Sequence, residues 1–261
     1  MAVALIQGAS RGLGFHFCKH ILASREDALV LATCRRPSEA DALRALQAEF
    51  PRRLALYPLD STQETEVRRA AEAVAQEHAG LDLVVNCGAL LHPRGRGETS
   101  LRDVAAQDLA LTLATNSIGP LVVAKYFTPL LLNGTGAFGR QSPDPGKKHQ
   151  AILVNMSARV GSIGDNALGG WYSYRMSKAA LNMATKNLSI ELRRGKAKVI
   201  CVSLHPGTVD TDLSKPYHKN VPKGKLFSPE HSVNCLMSII NNLDMEQTGK
   251  FFAWDGSELP W

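Results

Sequence analysis

Short apolar runs alternate with longer amphipathic ones along almost the whole chain, and no other feature limits its fold so strongly. The apolar runs fall at residues 3–6, 29–33, 54–59, 81–85, 151–156, 198–204 and 250–253. Each has the length of a buried strand. Helical spacing of apolar residues follows the first run, at Phe15, Cys18, Ile21 and Leu22, and recurs at 38–50, 62–78, 101–132, 174–194 and 229–243. Ser38 stands where it can cap the second of these helices. Parallel strands need long crossovers, so this alternation specifies an α/β fold on a parallel sheet. Ligands of such sheets bind beyond the carboxyl ends of the strands. A chain of 261 residues, 44% hydrophobic, suits one domain over 1–261.

Other classes are disfavoured. No run approaches the ~18 apolar residues of a membrane helix, so no membrane partner is expected. The first residues form a strand and enter a glycine loop without the basic region of a signal peptide. A net charge of +6 is too small and too dispersed for nucleic acid. Cys18, Cys34, Cys87, Cys201 and Cys235 show no metal-binding spacing. Reduced thiols, a cytoplasmic location and no metal are the expectation.

The loop after the first strand is Gly8-Ala-Ser-Arg-Gly-Leu-Gly14. Glycines let the chain turn tightly and let a pyrophosphate approach the N–H groups of the following helix. The loop lacks the Lys-Ser/Thr of a P-loop, which argues against an NTPase. At the end of the second strand an acid would hold a ribose 2′-hydroxyl and a base would hold a 2′-phosphate. The residues there are Cys34-Arg35-Arg36, and Arg11 lies in the glycine loop. The expected cofactor is therefore NADP(H), with Arg35 and Arg11 as the main cations; Arg36 also fits a merely solvated side chain.

Residues 174–178 read Tyr-Arg-Met-Ser-Lys and open an amphipathic helix. Tyr174 and Lys178, four apart, share a helix face. An ammonium favours phenolate, so such a pair can exchange a proton with a carbonyl oxygen or an alcohol. Alone, the pair equally fits a surface tyrosine beside a surface lysine. Two loops complete the outline. Residues 133–150, rich in Gly, Pro and Lys, read as an exposed connection. Residues 213–228, polar and basic, read as a lid over substrate or as a solvated loop.

Taken in order, these residues resemble the short-chain dehydrogenases/reductases over essentially the whole chain. Gly8, Gly12 and Gly14 match the cofactor glycines, and Asp60 the aspartate near adenine. Asn86-Cys87-Gly88 resembles Asn-Ala-Gly after strand four. Asn116 matches the helix asparagine, and Tyr174 and Lys178 the YxxxK. Pro206, Gly207, Val209 and Thr211 resemble the carboxamide-binding motif. Residues 169–182 and the ending 255–261 look like the branch of sniffer-type carbonyl reductases and bacterial C-factor. The resemblance implies a Rossmann-like doubly wound sheet of about seven parallel strands, order 3-2-1-4-5-6-7, with helices on both faces. It implies hydride transfer to a carbonyl, or from a secondary alcohol, with Tyr174 as acid/base and Lys178 lowering its pKa. Asn116 would anchor a relay water. Ser10, Arg11, Leu13, Arg35 and Ser61 join the motif residues as cofactor contacts. Pairing through the helices of Asn116 and Tyr174 would give a homodimer or homotetramer.

Three departures stand out. Gln7 replaces a threonine and Cys87 an alanine, both mild changes. The third lies after strand five, where the family pattern is Ser-Ser-x-x-Gly and the chain has Ser157-Ala-Arg-Val-Gly161. Ala158 thus occupies the slot of the catalytic serine. Ser157 is expected to point away, and Ser162 is the nearest substitute. The competing reading is a cofactor-binding sensor with little catalysis.

Overall fold

The computed structural model describes residues 1–195 and 198–261. Its main sheet contains β1 (Ala2–Gln7), β2 (Ala28–Cys34), β3 (Leu54–Pro58), β4 (Leu83–Asn86), β5 (Ala151–Met156) and β6 (Val199–His205). Two short strands, β7 (Thr208–Val209) and β8 (Leu226–Phe227), pair apart from it, and β9 (Phe251–Ala253) completes the main sheet. The order is β3-β2-β1-β4-β5-β6-β9, every pair parallel, as expected with β9 in seventh place.

The helices are α1 (Gly12–Ser24), α2 (Asp41–Glu49), α3 (Glu64–Glu77), α4 (Ala106–Leu113), α5 (Gly119–Leu131), α6 (Tyr172–Glu191) and α7 (Pro229–Asn242). Strand side chains alternate between faces, so β1 feeds two cores. Ala4 and Ile6 meet Phe17 and Ile21 of α1, Leu43 of α2 and Leu236 of α7. Val3 and Leu5 meet Val67 of α3 and Phe127 of α5. Burial on both sides explains why the strands read as continuous apolar runs.

Three local expectations fail. Residues 101–132 are not one helix: a short turn and α4 precede a π turn at Ala114–Ile118, and α5 follows. Pro120 lacks the N–H that the Asn116 carbonyl would take in a regular helix, so the ladder widens there. Ser38 sits in a 3-10 turn, Pro37–Glu39, and caps nothing; α2 starts after Ala40 without a side-chain cap. Residues 133–150 are anchored rather than merely exposed. Phe138 and His149 are buried, and buried Asp82 accepts hydrogen bonds from Thr135 N and Oγ1, each at 2.7 Å.

At one level near the carboxyl ends, polar residues cross the sheet in register. They are Thr33, Gln7, Asn86, Asn155 and Ser203. Asn86 Nδ2 donates to Asn155 Oδ1, and Asn155 Nδ2 donates to Thr185 Oγ1 of α6. This row marks where the apolar core stops and the site begins.

Candidate active site

A cavity of about 1120 Å³ opens beyond the carboxyl ends of the strands. The sequence-predicted residues Gly8, Ser10, Arg11, Gly12, Leu13, Gly14, Arg35, Asp60, Ser61 and Gly88 line one part of it. Tyr174, Lys178, Pro206, Gly207, Val209 and Thr211 line the rest. Two predicted residues stay outside the lining, Asn86 and Asn116. Asn86 is buried in the polar row described above. Asn116 is fully buried, and its amide is spent on the Leu90 backbone, donating to O and accepting from N at 2.7 Å each. Its Nδ2 also donates to Ser177 Oγ at 3.0 Å. The Asn116 side chain thus fixes loop 88–91 against α6.

The glycine loop has the shape an anion needs. Gly8 has φ +79°, and a Cβ there would lie 2.5 Å from Gly88 N. α1 begins without a side-chain cap and without an acid in its first turn. Its N–H groups and the positive end of its dipole thus meet the cavity unopposed. The arginines separate by their partners. Arg36 pairs with Glu39 at 2.9 Å and Arg11 with Asp212 at 3.1 Å. Arg35 lines the cavity and makes no ion pair among the described residues. The residues present fit a phosphorylated dinucleotide.

The other part of the cavity holds the pair on α6. Gly161 lets the turn after β5 pack tightly on this helix, since a Cβ there would fall 2.6 Å from Lys178 Cβ. Lys178 is 1% exposed; its Nζ donates to Met156 O at 2.8 Å and lies 5.7 Å from the Tyr174 ring centroid. Burial brings the ammonium down to about 8. Burial also pushes the Tyr174 phenol up, so the expected lowering by Lys178 does not appear. The cation faces the ring and spends a hydrogen bond on Met156. Cys87 lines the cavity too, and burial pushes its thiol up despite nearby Lys178.

Ala158 lines the cavity at the end of β5. Ser157 Oγ donates to Asn182 Oδ1 at 2.7 Å, turned toward α6 as expected. Ser162 is no substitute. It lies outside the lining, and its Oγ accepts from Asp165 N at 3.0 Å.

Sequence reasoning missed the mouth. Trp171 precedes α6 with φ 50°, a conformation that bulky residues rarely adopt. Its N donates to Glu98 O at 2.6 Å, and Ser173 N donates to the buried Glu98 carboxylate at 3.2 Å. Glu98 so caps α6 from 75 residues away, a separation no local pattern reveals. Residues 213–228 fold over this corner. Tyr217 Oη accepts from Gly97 N at 2.6 Å, and its ring lies 4.5 Å from that of Trp171.

Comparisons with known proteins agree with this geometry. The family model for short chain dehydrogenases matches residues 2–222. C-signal of Myxococcus xanthus is 37% identical over 62% of this chain and 84% of its own. The NADPH-bound carbonyl reductase from chicken fatty liver is similar at a TM-score of 0.87 and 31% identity, covering 100% of this chain and 94% of that one. Carbonyl reductase Sniffer of D. melanogaster follows at 0.85 and 29%, covering 100% and 99%. A fold, a glycine-walled cavity and a sequence match that coincide over most of the same residues lead to one conclusion: the chain belongs to the short chain dehydrogenase family of oxidoreductases.

Proposed function

We propose that this protein is an NADP(H)-dependent carbonyl reductase, able in reverse to oxidise a secondary alcohol. The observation that carries the reading is the burial of Tyr174 and Lys178 in the same cavity as the glycine loop and Arg35. The NADPH held by the chicken enzyme supports the choice of cofactor. When bound, the cofactor supplies the hydride. The α1 N-terminus and the glycine loop would hold its phosphates, and Arg35 would pair with the 2′-phosphate. Tyr174 hands its phenolic proton to the substrate oxygen as it gains charge. A phenol kept protonated by burial serves as an acid in this direction. Lys178 then offsets the phenolate. Residues 213–228 close the mouth over substrate, with Tyr217 against Trp171.

Purified protein with NADPH and a panel of quinones, dicarbonyls and aldehydes is expected to oxidise NADPH. Arg35→Ala is expected to weaken NADPH by about 10- to 100-fold and to leave NADH unchanged, from the loss of a charge-assisted bond. Equal weakening of both would refute the 2′-phosphate contact. The second reading, a cofactor-bound sensor, is favoured by Ala158 alone. NADPH binding without turnover across the panel would select it.

We further propose self-association through α4, α5 and α6. Leu111, Ile118, Leu121, Met176, Met183 and Ile190 are all exposed there, three of them seven residues apart along α6. Scattered exposed apolar residues are ordinary, whereas a stripe marks an interaction face. Sedimentation is expected to show a dimer or tetramer; a monomer at micromolar concentration would end the idea.

A further inference from the structure

One cavity group has no task in the reduction outlined above. His205 is the last residue of β6 and lines the cavity together with Ala158 and Tyr174. In the sheet register Met156 faces Leu204, and Ser157 N donates to Leu204 O at 2.8 Å. Continued by one step, the register sets His205 opposite Ser157, the residue before Ala158, where both strands leave the sheet. Nδ1 of His205 is sealed from solvent and has no partner. Nε2 makes no hydrogen bond among the described residues either. Buried polar atoms in native proteins are nearly always paired, so an unpaired imidazole in a reactive cavity calls for a ligand.

The tautomer follows from burial. A sealed nitrogen without a partner is less costly as a lone pair than as an N–H, so the proton belongs on Nε2. Burial, aided by nearby Arg159 and opposed by Asp255 and Asp165, brings the ring down to about 4. At neutral pH the ring thus carries one N–H donor and no charge. Ser157 donates to Asn182 and Ser162 lies outside the cavity lining, so neither hydroxyl covers the loss at residue 158.

We propose that His205 is a catalytic residue whose Nε2–H donates to the substrate carbonyl oxygen, in place of the hydroxyl that Ala158 lacks. The inference rests on the carbonyl-reductase reading. The imidazole gives up no proton. It donates a hydrogen bond while charge builds on the oxygen, hydride arrives at the carbonyl carbon, and the Tyr174 proton completes the alcohol. Such a preorganised donor acts most where charge develops, and loss of one typically costs ~10²–10³-fold in rate.

The test is a double-mutant cycle on the full chain, with kcat measured at saturating NADPH and NADPH affinity measured in every variant. His205→Leu is expected to lower kcat about 100-fold with NADPH affinity unchanged. His205→Gln, which keeps an N–H donor, is expected to retain most of the activity. In the Ala158→Ser background, His205→Leu is expected to cost less than about tenfold, because the restored hydroxyl takes over the bond. Equal losses in both backgrounds would make His205 structural and overturn the proposal. So would activity that appears only once Ala158→Ser is made, although that result would uphold carbonyl reduction by the fold. Tight NADPH binding with no turnover in any variant would overturn both.

Discussion

Tyr174→Phe is expected to lower kcat by at least ~10²-fold while NADPH affinity stays the same. The phenylalanine ring keeps the edge-on contact with Trp171, whose centroid lies 6.3 Å away, and the face that Lys178 approaches. Only the acidic proton is lost. The cavity wall and the Lys178–Met156 bond remain, so ground-state binding is spared and the transition state is not. Steady-state rates and a fluorescence titration with NADPH separate the two effects. Turnover within tenfold of the unaltered protein would mean that the proton comes from another group, and the assignment of Tyr174 would fall.

Gly8→Ala is expected to damage both stability and cofactor binding, and Gly12→Ala much less. Both glycines have positive φ, +79° and +55°, so a side chain at either costs roughly 1–2 kcal/mol. The surroundings then differ. At Gly8 the new Cβ would lie 2.5 Å from Gly88 N and 2.7 Å from Gly88 Cα, so the β1 and β4 turns must move apart. At Gly12 the nearest atom is Thr211 Cγ2 at 3.6 Å, an ordinary contact. Urea unfolding should show a loss of about 2–4 kcal/mol for Gly8→Ala and about 1–2 for Gly12→Ala. NADPH affinity should fall at least tenfold with the first. Equal losses at the two positions would show that the contact with Gly88 carries no weight.

The layers of the fold were legible because burial on both faces confines polar residues to the carboxyl ends of the parallel strands. β1 and β5 are buried at every position, and their apolar runs show it. The glycine loop was legible because backbone geometry there excludes side chains. Other features depend on contacts between distant segments. Ser38 looked like a cap by position, yet the chain ahead of α2 spends its turn on Pro37–Glu39. The π turn needed the joint reading of Asn116 and Pro120, which a hydrophobic period ignores. Asn86 and Asn116 carry the right names for a site, but their amides face inward and organise it from behind. Glu98, Trp171 and Tyr217 were invisible, since each acts through a partner far away in sequence.

Cys87 bears on what the cavity can survive. An electrophilic quinone or aldehyde that reaches Tyr174 enters a cavity that this sulfur also lines. Alkylation needs the thiolate, and burial keeps this thiol protonated even with the Lys178 ammonium nearby. The desolvation that keeps the Tyr174 phenol protonated also keeps the neighbouring thiol out of its nucleophilic thiolate form. If the proposed reduction of reactive carbonyls holds, Cys87 is expected to be alkylated slowly by them, which mass spectrometry after incubation with a quinone would check.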